Sequence, residues 1–201
     1  MASYNIKILL LAAGQSSRMG KPKQLLAVGD KPLLALALDT AVSARVSGSY
    51  CVLGANMDKI KPVVETYPIE IIENKDWKKG LGESIAIGVK TIMQNSPESE
   101  GILILLADQP WVDGEYVDAM IDKFEERPDA IIASDYGNFY GVPALFPSAY
   151  FDKLIEVKGD TGAKELLNDP SIPVIGIESS KKLSDIDTPE DFDQFLKTQN
   201  L

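Results

Sequence analysis

Apolar residues in this chain gather in short runs that do not alternate with polar ones. The clearest are "KILLLAA" at 7–13 and "ILILLA" at 102–107. Runs of this kind belong to strands covered on both faces, and between them apolar residues recur at helical spacing. The pattern predicts strands over 6–11, 49–54, 69–72, 102–106, 130–134, 142–146 and 173–177. It predicts helices over 32–43, 58–66, 81–95, 114–126, 149–155, 161–168 and 189–198. Such alternation implies an α/β fold, a Rossmann-like three-layer sandwich about a mostly parallel sheet. The stretch "DYGNFYGVPALF" breaks the rhythm. It reads as a turn feeding an antiparallel strand, so the sheet is expected to be mixed. No repeat, low-complexity segment or linker divides residues 1–201, which read as one domain. In open sheets of this kind ligands sit beyond the carboxyl ends of the strands. The loops after Leu11, after Leu106 and after the last strand should therefore open on one side.

Composition narrows the function classes. With 45% hydrophobic and 25% charged residues the chain is ordinary globular material. A formal charge of −10 argues against nucleic acid or an anionic membrane as the main partner. The only cysteine, Cys51, lies in an apolar run, so no intrachain disulfide forms and a buried thiol is expected. The N-terminal apolar run shows no cleavage pattern and is too short to span a bilayer, so a cytoplasmic protein is expected.

Candidate chemistry begins at "GQSSRMGKPKQ", residues 14–24. It nearly spells a P-loop, but five residues separate Gly14 from Gly20 where that motif has four. Pro22 stands in place of the hydroxyl residue and disfavours a helix at Lys21. The dinucleotide fingerprint is absent too. What survives is a glycine-hinged loop whose amides around Gln15–Ser17 can form an anion nest, with Arg18 and Lys23 as phosphate partners. Spacing alone fits a solvated loop equally well. Asp108 follows a buried strand and suits either a turn or a hard-cation ligand. In "SDIDTPEDF", Thr188 to Asp191 read as a helix cap with Pro189 at its first position. Asp185 and Asp187 flank Ile186 and are not explained by that cap. Ser84 suits a helix start. Trp77 and Trp111 read as packing residues, and Lys181 and Lys182 as solvated surface.

The segment "LLAAGQSSRMGKPKQLL" closely resembles the signature of nucleotidyltransferases that include molybdenum cofactor cytidylyltransferase. Broader relatives are the molybdopterin guanylyltransferases and the cytidylyltransferases of sugar and isoprenoid precursors. Later segments fall in family order: "GLGESIAIGV", "LLADQPWV", "YGVPALF", "GDTGAKELL" and "DIDTPEDF". The resemblance implies a nucleotide-diphospho-sugar transferase type of sandwich. It places Leu11, Ala12, Ala13, Gly14, Gln15, Ser16, Arg18, Lys23, Gly80, Ser84 and Asp108 at the nucleotide. Arg18, Lys23 and Asp108 become the catalytic set, and Asp108 with Asp187 the ligands of one Mg²⁺, Asp185 standing behind them. Gly141, Pro143, Asp160 and Gly162 fall on the acceptor side, where Asp160 or Thr161 is expected to cap a helix. Ala13, where guanine-using relatives carry glycine, narrows the base site and favours CTP over GTP.

The implied reaction transfers CMP from CTP to the phosphate of molybdopterin or molybdenum cofactor, releasing pyrophosphate. The chain has no histidine, and an acceptor that is already anionic needs no general base. The implied partners are CTP, a phosphorylated small acceptor and, transiently, a molybdoenzyme or cofactor-handling protein; nucleic acid and membrane are not among them. Two rival readings are a sugar- or polyol-phosphate acceptor and a non-catalytic nucleotide- or cofactor-binding protein.

Overall fold

A computed structural model describes residues 4–178 and 183–199, so Lys181 and Lys182 lie outside the described residues. The strands are β1 (Ile6–Leu11), β2 (Ala27–Val28), β3 (Lys31–Pro32), β4 (Ser49–Leu53), β5 (Glu70–Glu73), β6 (Gly101–Leu106), β7 (Ile131–Asp135), β8 (Tyr140–Pro147) and β9 (Val174–Glu178). The helices are α1 (Leu33–Ser43), α2 (Met57–Val64), α3 (Leu81–Asn95), α4 (Gly114–Glu126), α5 (Phe151–Glu156), α6 (Lys164–Leu167) and α7 (Pro189–Thr198).

Seven strands form one sheet in the order β5-β4-β1-β6-β8-β7-β9. All neighbours are parallel except β8, which runs antiparallel to both β6 and β7. This is the expected mixed sheet. The short β2–β3 hairpin was not expected; its two-residue strands are too brief to leave a periodic signal.

Side-chain alternation along β1 divides the core. Ile6, Ile8 and Leu10 point to one face and pack with Leu34 and Leu38 of α1 and Val117 and Phe124 of α4. Leu9 and Leu11 point to the other and pack with Ile85 and Val89 of α3 and Leu154 of α5. Each fully buried side chain contributes about 1.5–3 kcal/mol, so two faces of such residues define the three layers. No helix among the described residues is long and apolar enough to cross a membrane.

A third, smaller cluster joins segments far apart in sequence. Met19, Leu26, Val28 and Leu33 pack there against Ile186 and Phe195. It fastens the loop after β1 to the segment leading into α7. The carboxyl ends of β1 and β6 are adjacent, with Leu11 opposite Leu106. Loops from three distant parts of the chain thus meet at one rim.

One predicted helix is much shorter than expected. In place of 161–168, α6 spans Lys164–Leu167 and has no side-chain cap at Ala163. Gly162 takes φ 55°, which a helix cannot accommodate, so neither Asp160 nor Thr161 caps it.

Candidate active site

The loop after β1 is held by its own polar side chains. Ser16 adopts a left-handed conformation, its hydroxyl accepting from the Lys23 amide at 3.1 Å and meeting Gln24 Oε1 at 3.2 Å. The buried Gln24 amide donates to the carbonyls of Ala12 and Gly14 at 3.3 and 3.0 Å. These contacts fix the backbone from which Lys23 projects. Gln24 escapes sequence reasoning, because a glutamine beside lysines in a polar loop reads as solvated.

Asp108 stands just past β6, and its carbonyl accepts from the Ile186 amide at 2.9 Å. That backbone bond brings Asp187 to Asp108 across 79 positions of sequence. Asp187 is held from its other side by the start of α7. The Asp191 carboxylate accepts from the amides of Asp187 and Thr188 at 3.1 and 2.8 Å, and the Thr188 hydroxyl accepts from the Asp191 amide. The capping box therefore also holds the backbone that carries the Asp187 carboxylate.

Lys23 closes the constellation. Its Nζ donates to Asp108 Oδ2 at 2.7 Å, to Asp187 Oδ1 at 3.0 Å and to the Ile186 carbonyl at 2.8 Å. Burial would lower the pKa of this lysine, but Asp108 and Asp187 outweigh it and the pKa is raised. Hydrogen bonding from Lys23, aided by Arg18, holds the Asp187 carboxyl below its ordinary range. Arg18, 70% exposed, reaches Asp187 Oδ2 at 3.0 Å.

Asp185 lies apart from this cluster. The residue is exposed at the cleft, yet its carboxylate turns inward and accepts from the buried Gln109 at 2.8 Å. Lost hydration, then the charge of Asp108, pushes its pKa up to about 6 against the opposing Gln109 hydrogen bond. Gln109 also donates to the Tyr136 hydroxyl at 3.0 Å, which itself donates to the Val142 carbonyl. Neither Gln109 nor Tyr136 was anticipated.

Two cavities flank the rim. One of about 580 Å³ is lined by Leu11, Ala13, Gly14, Gln15, Gly80 and Ser84, and by Asp108 and Asp160. The Ser84 hydroxyl is buried and accepts from Asn74, so it sits in the wall as a hydrogen-bonded post. Trp77 lines this cavity too, packed so closely on Gly54 that a Cβ there would lie 2.6 Å from the Trp77 Cβ. Trp111 packs edge-on against Phe195, as a core residue should. Ala12 shares a smaller cleft with Lys23, Gln24 and Asp108.

The second cavity, about 180 Å³, is lined by Gly141, Gln109, Tyr136, Phe139 and Asp185 and shares Leu11 and Leu106 with the first. The four residues expected on the acceptor side are not brought together. Gly141 lines the second cavity and Asp160 the first. Pro143 is buried, its carbonyl accepting from Ser134, and Gly162 backs onto Leu81.

The residues present fit a divalent cation. Two carboxylates already converge on one positive nitrogen, and hard oxygen donors suit Mg²⁺ or Mn²⁺. Asp108 Oδ1 is moreover buried without a hydrogen-bond partner. No group of three His, Cys, Asp or Glu side chains fit for a metal occurs among the described residues, but Mg²⁺ uses one or two carboxylates when phosphates complete its shell.

Residues 8–174 match the MobA-like NTP transferase domain. The chain belongs to that family. It is 30% identical over 202 residues to the purine catabolism protein PucB of Bacillus subtilis, covering 96% of each chain. The manganese complex of Rv0371c from Mycobacterium tuberculosis superposes with a TM-score of 0.80 at 26% identity, over 96% of this chain and 99% of that one. Molybdopterin-guanine dinucleotide biosynthesis protein A of Archaeoglobus fulgidus shares the fold, with a TM-score of 0.69 at 15% identity over 96% and 98% of the two chains. As a MobA-like NTP transferase the protein is a nucleotidyltransferase.

Proposed function

We propose that the protein is a cytoplasmic cytidylyltransferase that moves CMP from CTP to the phosphate of molybdopterin or molybdenum cofactor, giving a cytosine dinucleotide and pyrophosphate. The observation that carries this reading is the convergence of Asp187 and Lys23 on Asp108, which itself lines a cavity of about 580 Å³. Kinship with the MobA-like NTP transferases along nearly the whole chain supports the reaction class. Manganese in the Rv0371c complex supports a divalent cation.

An oxygen of the acceptor phosphate attacks the α-phosphorus of CTP. As that bond forms, the bond from the α-phosphorus to the β-bridging oxygen breaks, and pyrophosphate leaves with the electron pair. No proton has to be removed from the nucleophile. The protein's work is positioning and charge neutralisation. The exposed guanidinium of Arg18 takes the β- and γ-phosphates, and Lys23 steadies charge on the α-phosphoryl group. Asp108 and Asp187 would hold the cation, which when bound would offset the charge of the phosphates. Ala13, in the cavity wall beside Trp77, limits the room for a purine and favours cytosine.

A pyrophosphate-release screen tests the proposal, pairing each of the four nucleoside triphosphates with molybdopterin and with several phosphorylated alcohols. CTP with molybdopterin is expected to give the fastest release. Preference for GTP would overturn the argument from Ala13, and release only with phosphorylated alcohols would overturn the acceptor.

A further inference from the structure

We infer that the ammonium of Lys23 holds the cation's place between Asp108 and Asp187, so that the site takes up its divalent metal as the metal–triphosphate complex and not as a free ion. The inference rests on the reading above, in which these two carboxylates are the metal's ligands.

Its basis is the set of oxygens around one nitrogen. Asp108 Oδ2, Asp187 Oδ1 and the Ile186 carbonyl lie 2.7, 3.0 and 2.8 Å from Lys23 Nζ. Three acceptors use all three ammonium protons. Of the remaining carboxylate oxygens, Asp187 Oδ2 is engaged by Arg18, and Asp108 Oδ1 is shut off from solvent. A free cation therefore meets, at these two residues, no exposed carboxylate oxygen that is not already paired with a cationic side chain. The charges of these two carboxylates are already matched by one ammonium and one guanidinium.

The lysine is seated firmly. Its side chain is only 11% exposed, and its backbone amide is pinned by Ser16. Leaving the carboxylates without another anion to meet would strand two negative charges in a partly dry cleft, which is unfavourable. An incoming triphosphate changes both conditions together. It offers Lys23 and Arg18 new anionic partners, and it brings the cation that replaces them at the carboxylates. Metal and nucleotide binding are then coupled, each raising the affinity for the other by the same factor.

Mn²⁺ binding followed by electron paramagnetic resonance tests this, because bound ion loses the free-ion signal. The full chain is titrated with Mn²⁺ alone and with Mn²⁺ plus a non-hydrolysable CTP analogue, the signal lost to the analogue without protein being subtracted. Lys23→Met should bind Mn²⁺ alone about tenfold or more tightly than the parent, and Lys23→Arg should stay weak. Adding Asp108→Asn to Lys23→Met should abolish the gain. Lys23→Gln serves as the second neutral variant should Lys23→Met fail to fold. Equal Mn²⁺ affinity of the parent and the neutral variants would overturn the inference. If the parent still takes up Mn²⁺ with the analogue, only the lysine's role falls; if it takes up none even then, the proposed metal ligands fall with it.

Discussion

In the proposed reaction Asp108, Asp187 and Lys23 act together, and loss of charge at either carboxylate should be felt in turnover before stability. Asp108→Asn and Asp187→Asn keep volume and hydrogen-bonding shape but lose charge. Each should lower kcat by roughly 10²–10³-fold, as loss of one electrostatic stabiliser does elsewhere. Steady-state pyrophosphate release together with a thermal melt checks this: kcat should fall while Tm hardly moves. Gly80 gives the opposite signature. It has φ 109°, and a Cβ there would lie 2.5 Å from the Gly159 backbone. Gly80→Ala should cost at least about 1–3 kcal/mol in a urea melt, since neither backbone can yield cheaply. The charged residues were legible in the sequence, since their types and order match a signature. Gln24 and Gln109 were not. Their amides act by holding neighbours, and nothing in spacing or polarity separates such a glutamine from a solvated one.

The start of α7 joins stability to chemistry. Thr188 accepts from Asp191, and Asp191 in turn fixes the amide of Asp187. Thr188→Ala should therefore cost about 1 kcal/mol of stability. It should also raise the metal concentration needed for half-maximal rate, because Asp187 loses part of its support. Urea melts and Mg²⁺-dependent rates measure the two effects. This helix start was plain in the sequence, where Thr188, Pro189 and two acids stand in capping order. The start of α6 was not: its apolar spacing runs back to residue 161, but the left-handed turn at Gly162 stops the helix short. Periodicity records which face is buried and says little about the backbone angles at an end.

Across the whole molecule, unbroken apolar runs predicted a mostly parallel sheet, and the broken rhythm at "DYGNFYGVPALF" predicted the antiparallel strand within it. The order of its strands could not be read, because β8 inserts between β6 and β7 through contacts far apart in sequence. Cys51 reports on the integrity of this sheet. It is fully buried in β4, and burial pushes its thiol pKa up to about 12. In the unfolded chain the thiol ionises near pH ~8.5, so this group favours the native state below that pH and loses its contribution as pH rises toward the folded value. At mildly alkaline pH, alkylation should therefore follow global unfolding, with no fast phase in native protein. Mass spectrometry over a denaturant series checks that. In the proposed reaction, attack falls on the α-phosphorus of CTP at the Asp108–Asp187 rim. Parallel reactions with α- and γ-labelled CTP and molybdopterin test it most directly. The α-label should appear in the acceptor product and the γ-label in pyrophosphate, both roughly 10²–10³-fold more slowly with Asp108→Asn; γ-label in the acceptor, or transfer undiminished in that variant, would contradict it.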